Sequence, residues 1–344
     1  MKALNLYGVG DLRYDDLPVP VRKTDEVLLK VRTAGVCGSD IPRVYSKGTY
    51  HFPTVIGHEF AGEIVEAEDK SIVGRRAAVF PILPCYECPA CQSGQYAQCR
   101  SYSYYGSRQD GGMSEYLAVR EENLCFIPEG VSFEAAAMTE PAAVAYHAFR
   151  KSGAAGKNSL FIYGIGTIGL IIAQLAKSAG VPHVVLAGRT ADKVEFAEKL
   201  GFVAINIKTH NLKEFAASEG TDGFDVCIEG TGCSEGVVAC LEAGHNFADI
   251  VLMGNPVGEM TLSQDDYWKI LRKELRLVGT WNSSRNEQQN DWQDALLAMK
   301  NGELKLESLI THKFLLGDYK QAFELMRDKK EMYIKVMLLL GEEA

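Results

Sequence analysis

The chain has 344 residues, 47% of them hydrophobic, and its 36 Lys and Arg against 45 Asp and Glu give a formal net charge of −9. That length supports a large buried core and suggests more than one domain. The acidic balance, with no basic patch in the sequence, argues against a surface that tracks nucleic-acid phosphates, and the longest apolar runs are broken by Gly, Gln or Lys, which argues against a membrane span.

The N-terminal stretch MKALNLYGVGDLRYDD lacks the unbroken apolar core of a secretion signal. Strand-like runs separated by turns follow, EVLLKVRTAGV and GEIVEAE among them. Between and around them, AGVCGSD (34–40) carries Cys37 and IGHEFAG (56–62) carries His58 and Glu59. Further on, TEPAAVAYHA (139–148) brings Glu140. Taken singly, these residues have ordinary readings as a core thiol, a satisfied imidazole and an acid at a helix start.

Cys85, Cys88, Cys91 and Cys99 stand out, because four of the nine cysteines fall in one C-x2-C-x2-C-x7-C segment. Thiols so close cannot easily form two unstrained disulfides, whereas four thiolates can surround one tetrahedral Zn²⁺. The segment PCYECPACQSGQYAQC is punctuated by Pro and Gly, so it reads as a loop lobe built around a structural zinc. Metal-type thiols without a secretion signal point to a reducing, cytoplasmic setting. The other cysteines Cys125, Cys227, Cys233 and Cys240 have no ligand spacing and read as structural.

In SLFIYGIGTIGLIIAQLAKS (159–178) an apolar run meets Gly164-x-Gly166-Thr167-Ile168-Gly169 and continues as an amphipathic helix. A strand, a glycine turn and a helix N-terminus in that order form a dinucleotide fingerprint. The alternation then continues through HVVLAG, ADKVEFAEKLG, VAINI, FDVCIEG, ADIVLMG and LRLVGTW, which predicts a doubly wound parallel sheet. At the end of the second strand, where NAD sites usually carry an acid, stand Gly188 and Arg189. An arginine there accepts a 2′-phosphate and favours NADP over NAD; a solvent-facing arginine beside bound NAD is the alternative. The tail predicts helices near 290–301 and 318–328 and a last strand at IKVMLLL.

Together these motifs resemble the zinc-containing medium-chain alcohol and polyol dehydrogenases, in the expected order and over essentially the whole chain. The resemblance implies a Rossmann domain at 151–282 and a largely β, GroES-like catalytic domain formed by 1–150 and 283–344. It implies two zincs per subunit. Cys37, His58 and Glu140 would surround the catalytic one, with Glu59 as an exchanging or supporting ligand. Asp40 would steady His58, and Ser39 would pass on the substrate proton. Many members carry a histidine five residues after the zinc cysteine, and this chain has Pro42 there, which cannot exchange a proton. The family also implies a homodimer or homotetramer.

Within the family, CGSDIPRVYSKGTYHFPTVIGHEFAG, YYGSRQDGGMSEY and LRKELRLVGTWNSS are most similar to polyol-phosphate enzymes of the galactitol 1-phosphate 5-dehydrogenase type. Arg43, Lys47 and Arg108 lie in these segments and are the candidate phosphate cations. The alternatives are dehydrogenases of unphosphorylated polyols such as sorbitol or butanediol, or of threonine, and more remotely a non-catalytic zinc-binding regulator. No nucleic-acid or membrane partner is expected.

Overall fold

The longest strand, Glu26–Val36, organises one half of the molecule, in a computed structural model that describes residues 1–212, 214–215, 222–256 and 258–341. It pairs antiparallel with Glu59–Glu66, with Tyr116–Arg120 and with the C-terminal strand Lys335–Leu339. Lys335–Leu339 in turn runs parallel to Ile310–Leu315, while Arg76–Val79 and Leu124–Phe126 extend the opposite edge. The register Gly35↔Glu59 and Val36↔Val336 brings three distant segments to one end of the sheet. A separate three-stranded sheet sets Lys2–Gly8 between Asp11–Asp16 and Thr54–Val55. Leu29, Phe60, Ile64, Met113, Phe323 and Leu338 are central to a continuous core on these elements.

The second sheet is wholly parallel, in the order Val203–Asn206, His183–Gly188, Ser159–Tyr163, Phe224–Glu229, Gly244–Leu252 and Arg276–Gly279. Its first strand in sequence is buried along its full length, which is why SLFIY reads as an unbroken apolar run and not an alternating one. This order, with the strands running outward in both directions from Ser159–Tyr163, is the doubly wound Rossmann arrangement. The strand at ADIVLMG begins earlier than its apolar run, at Gly244 opposite Phe224, and a register irregularity separates that pair from Asp249 opposite Val226. Trp281 lies beyond the last strand and is exposed.

The chain divides into two compact units, Met1–Ala143 with Ser284–Ala344, and Val144–Ser283. The predicted tail helices are Asp291–Lys300 and Tyr319–Asp328, both in the first unit. Among the described residues no helix is long and apolar enough to cross a membrane.

Candidate metal centres and dinucleotide site

Cys37 follows directly on the end of the strand Glu26–Val36, and His58 directly precedes the strand Glu59–Glu66. Because these strands are paired neighbours, the ligand atoms of Cys37, His58 and Glu59 lie within 4.8 Å of one another. Glu140 stands outside that group of mutual distances. It occupies the first turn of the helix Thr139–Ser152, is buried, and accepts a hydrogen bond from the Tyr104 hydroxyl at 3.2 Å. The Tyr104 ring also lies 5.7 Å from that of His58, which links Glu140 to the cluster.

Each ligand candidate is held from behind. Asp40 is fully buried; its Oδ2 accepts from the Cys37 N–H at 2.9 Å and its Oδ1 from Arg43 Nη1 at 2.5 Å. The same Oδ1 lies 3.6 Å from His58 Nδ1, a buried nitrogen without a hydrogen-bond partner. A carboxylate that closes onto one ring nitrogen fixes the tautomer and leaves the other lone pair for a metal, and Asp40 is placed to do so. Glu59 is paired with Lys335, whose ammonium also donates to Val36 O at 3.1 Å. A Cβ on Gly35 would collide with the ends of both the Glu59 and Lys335 side chains, so a larger residue there would displace this ion pair.

The electrostatics fit a cation. Burial pushes the Cys37 thiol up, and the charges of Glu59 and Asp40 push it further. Burial likewise raises the Glu140 carboxyl to about 7, opposed by His58 and reinforced by Glu59. Burial disfavours the Lys335 ammonium, but Glu59 and Cys37 outweigh it and hold its pKa above the ordinary lysine value. A thiol, an imidazole and carboxylates pressed together, with acids whose charged forms are disfavoured, form a donor set that a divalent metal would stabilise. Zinc fits these residues.

The tetracysteine segment forms a second such site. The four sulfurs lie within 4.8 Å of one another, Cys85 Sγ is 3.9 Å from Cys91 Sγ, and Cys88 Sγ is 3.6 Å from Cys91 Sγ. A tetrahedron with Zn–S arms of about 2.3 Å has edges of about 3.8 Å, whereas a disulfide would need about 2.05 Å. Backbone N–H groups of Glu87 and Cys88 lower the Cys85 thiol to about 6, and those of Arg100 and Cys91 lower Cys88. Burial raises Cys91 to about 12. A strand pair, Ile82–Leu83 with Ser103–Tyr104, brackets this lobe.

In the other unit, Gly164 follows the strand Ser159–Tyr163 with φ +130°, and Gly166 caps the helix Thr167–Ser178. A Cβ on Gly169 would collide with Gly164 O, so the turn and helix approach as closely as the fingerprint requires. Thr167 and Ile168 form the first turn of this helix, and a helix N-terminus is the natural partner of a pyrophosphate. Gly188 ends its strand and Arg189 beside it is exposed.

Of the three expected phosphate cations, Arg43 is committed to Asp40 and its side chain is only 16% exposed. Lys47 is exposed at the end of the turn Arg43–Lys47. Arg108 lies over Tyr50 and Tyr102, at 4.0 and 4.6 Å from their ring centroids, and donates to Tyr102 O. Ser39 is exposed, ahead of the short helix Asp40–Pro42. Tyr104 and Lys335 escaped the sequence reading. A lone lysine inside the apolar strand IKVMLLL was the available signal for Lys335.

Comparison with known proteins bears on the family. The alcohol dehydrogenase GroES-like domain matches residues 23–129, and the zinc-binding dehydrogenase domain matches residues 167–301. Galactitol 1-phosphate 5-dehydrogenase of Escherichia coli K12 is 32% identical, covering 96% of this chain and 97% of its own. A sorbitol dehydrogenase of Halalkalibacterium halodurans is also 32% identical, covering 98% and 99%. The crystal structure of the E. coli galactitol-1-phosphate dehydrogenase superposes with a TM-score of 0.92 at 31% identity, covering 99% and 100%. Two further solved structures contain cofactor. A zinc-binding dehydrogenase of Sinorhizobium meliloti is bound to NADP (TM-score 0.90, 26% identity, 98% and 99% coverage), and an E. coli CFT073 alcohol dehydrogenase is complexed with NADH (0.88, 30%, 99% and 99%).

Proposed function

The chain belongs to the zinc-dependent medium-chain alcohol and polyol dehydrogenases, and we propose that its substrate is a polyol phosphate of the galactitol 1-phosphate kind. The observation that carries this reading is Arg108, a guanidinium stacked on two tyrosines in the segment that also bears Tyr104. With Nη1 donating to Tyr102 O, the remaining N–H groups of the guanidinium could bind a phosphate. Lys47 would add a second, mobile charge.

Cys37, His58 and Glu140 would hold a catalytic zinc, with Glu59 able to exchange onto it, and a second zinc would fill the tetracysteine lobe. The catalytic zinc supplies a Lewis acid for the substrate oxygen, and a bound nicotinamide supplies the hydride acceptor. The chain's own groups orient the reaction. Asp40, itself fixed by Arg43 and the Cys37 N–H, faces His58 Nδ1 at 3.6 Å and would orient the ring once the site closes on a metal. Lys335 neutralises Glu59 and so limits the negative charge facing the substrate. Ser39 would take the substrate hydroxyl proton while passing its own onward; with Pro42 in the relay position, water or a neighbouring residue would receive it.

For the cofactor, Gly164, Gly166, Thr167, Ile168 and Gly169 would cradle the pyrophosphate, and Gly188 with Arg189 would favour the 2′-phosphate of NADP. We also infer a cytoplasmic homo-oligomer, a dimer or tetramer. The strand Arg276–Gly279 is a sheet edge with exposed Leu277, and the helix Gln264–Arg272 exposes Tyr267, Trp268 and Leu271 in the same unit. Unpaired edges and apolar helix faces are commonly covered by a second copy.

Arg108→Ala tests the substrate reading: KM for galactitol 1-phosphate should rise at least tenfold while KM for galactitol stays within about twofold, consistent with loss of a charge-assisted contact. Equal changes for both substrates would remove the phosphate site from Arg108.

A further inference from the structure

We propose that Tyr104 is a positioning residue of the catalytic metal site, holding Glu140 from a strand whose place is set by the tetracysteine lobe. The inference rests on the reading of Cys37, His58 and Glu140 as zinc ligands. Tyr104 donates its hydroxyl to Glu140 Oε1 at 3.2 Å and sets its ring beside the imidazole of His58. It thus touches two of the three expected ligands without being a ligand itself. Its partner Glu140 is 8% exposed and sits on the first turn of a helix, whereas Cys37 and His58 are carried at the ends of paired strands. The carboxylate therefore reaches the cluster from a different element and needs its own restraint.

The restraint leads back to the cysteines. Tyr104 pairs with Ile82 and Ser103 with Leu83, so the loop leaving and re-entering this ribbon is the segment that contains Cys85, Cys88, Cys91 and Cys99. The Tyr105 N–H donates to Pro81 O at 3.0 Å, which continues the contact past Tyr104. After it, the Arg108 and Gln109 N–H groups close a turn on Tyr104 O at 3.0 and 3.1 Å. A metal that gathers the four sulfurs fixes both ends of the ribbon and with them the reach of the Tyr104 hydroxyl. Tyr104 would thus couple the cysteine lobe to the residues expected to hold the catalytic metal through one side chain.

The test uses the full-length protein with zinc at both sites, and Co²⁺ exchanged into the catalytic site as a spectroscopic probe. Tyr104→Phe keeps the ring beside His58 and removes only the hydroxyl. It should weaken catalytic-site metal about 10- to 100-fold in chelator competition and shift the cobalt d–d bands, while the lobe retains its metal. Unchanged affinity and bands would overturn the proposal. Cys88→Ser, which empties the lobe, should shift the catalytic cobalt bands in the same direction; an empty lobe with wild-type bands would refute the link to the cysteines. If Cys88→Ser does not fold, Tyr104→Phe decides alone. A wild-type protein that takes up metal only at the cysteines would instead break the underlying zinc reading.

Discussion

Lys335 and Glu59 form an ion pair that is almost completely removed from solvent, with side chains 3% and 2% exposed. The pair spans the junction of the first and last thirds of the chain, and Val36 O takes a second hydrogen bond from the same ammonium. A buried pair of this kind adds little net stability over an apolar pair, but breaking it strands a charge. Lys335→Met should therefore destabilise the metal-free protein by about 3–5 kcal/mol. Zinc loading should recover part of that loss, because the metal supplies the missing positive charge beside Glu59. Urea unfolding of both forms measures the two quantities. A variant as stable as wild type without metal would show that Glu59 is not held by Lys335.

The catalytic ligands and the lobe should separate in metal content. Cys37→Ser or His58→Ala should lower bound zinc from two to one per chain and abolish turnover while circular dichroism stays native. Atomic absorption with activity assays checks this. Retention of near-wild-type turnover with one zinc would sink the assignment of that site.

Cofactor preference should follow the end of the strand His183–Gly188. Gly188→Asp combined with Arg189→Ile replaces a cation by the acid that bonds a ribose 2′-hydroxyl, so kcat/KM should swing from NADP toward NAD by tenfold or more. A Cβ at position 188 would lie 3.0 Å from Ile165 Cδ1, the movable end of a side chain, so the acid can be accommodated. An unchanged ratio of the two kcat/KM values would mean that Arg189 points to solvent in the complex.

Stability at low pH should depend on Asp225. Burial raises its pKa, but hydrogen bonds from His245, Ser159 and the Ser159 and Asn158 N–H groups outweigh this and hold it below the ordinary value of 3.8. A carboxyl with a depressed folded-state pKa contributes stability above its unfolded pKa and loses it as pH falls through the folded value. Asp225→Asn should thus be less stable than wild type at pH 6, and the gap should close below pH 3.8. Unfolding midpoints at the two pH values test this; a constant gap would assign the loss to packing.

What could be read from the sequence was local in the chain. The four cysteines and the Gly164 to Gly169 turn each sit within a few residues, so spacing alone carries their chemistry. The parallel sheet was legible because strand-like and helix-like runs alternate along the chain, with Ser159–Tyr163 an unbroken buried apolar run. Cys37, His58 and Glu140 lie far apart in sequence, and only resemblance joined them. The roles of Lys335 and Tyr104 come from register, Val336 opposite Val36, Gly35 opposite Glu59, and Tyr104 opposite Ile82, and only Lys335 left a trace in the sequence, as a lysine in an apolar strand. Arg43 shows the converse. Its charge suggested a phosphate, but one turn of helix puts it back on Asp40.

The most direct measurement is a comparison of initial rates with galactitol 1-phosphate and with galactitol, each with NADP and with NAD, using the zinc-loaded enzyme. A kcat/KM at least a hundredfold higher for the phosphate ester, greatest with NADP, is the predicted result. Equal or greater efficiency with the free polyol would contradict the polyol-phosphate assignment.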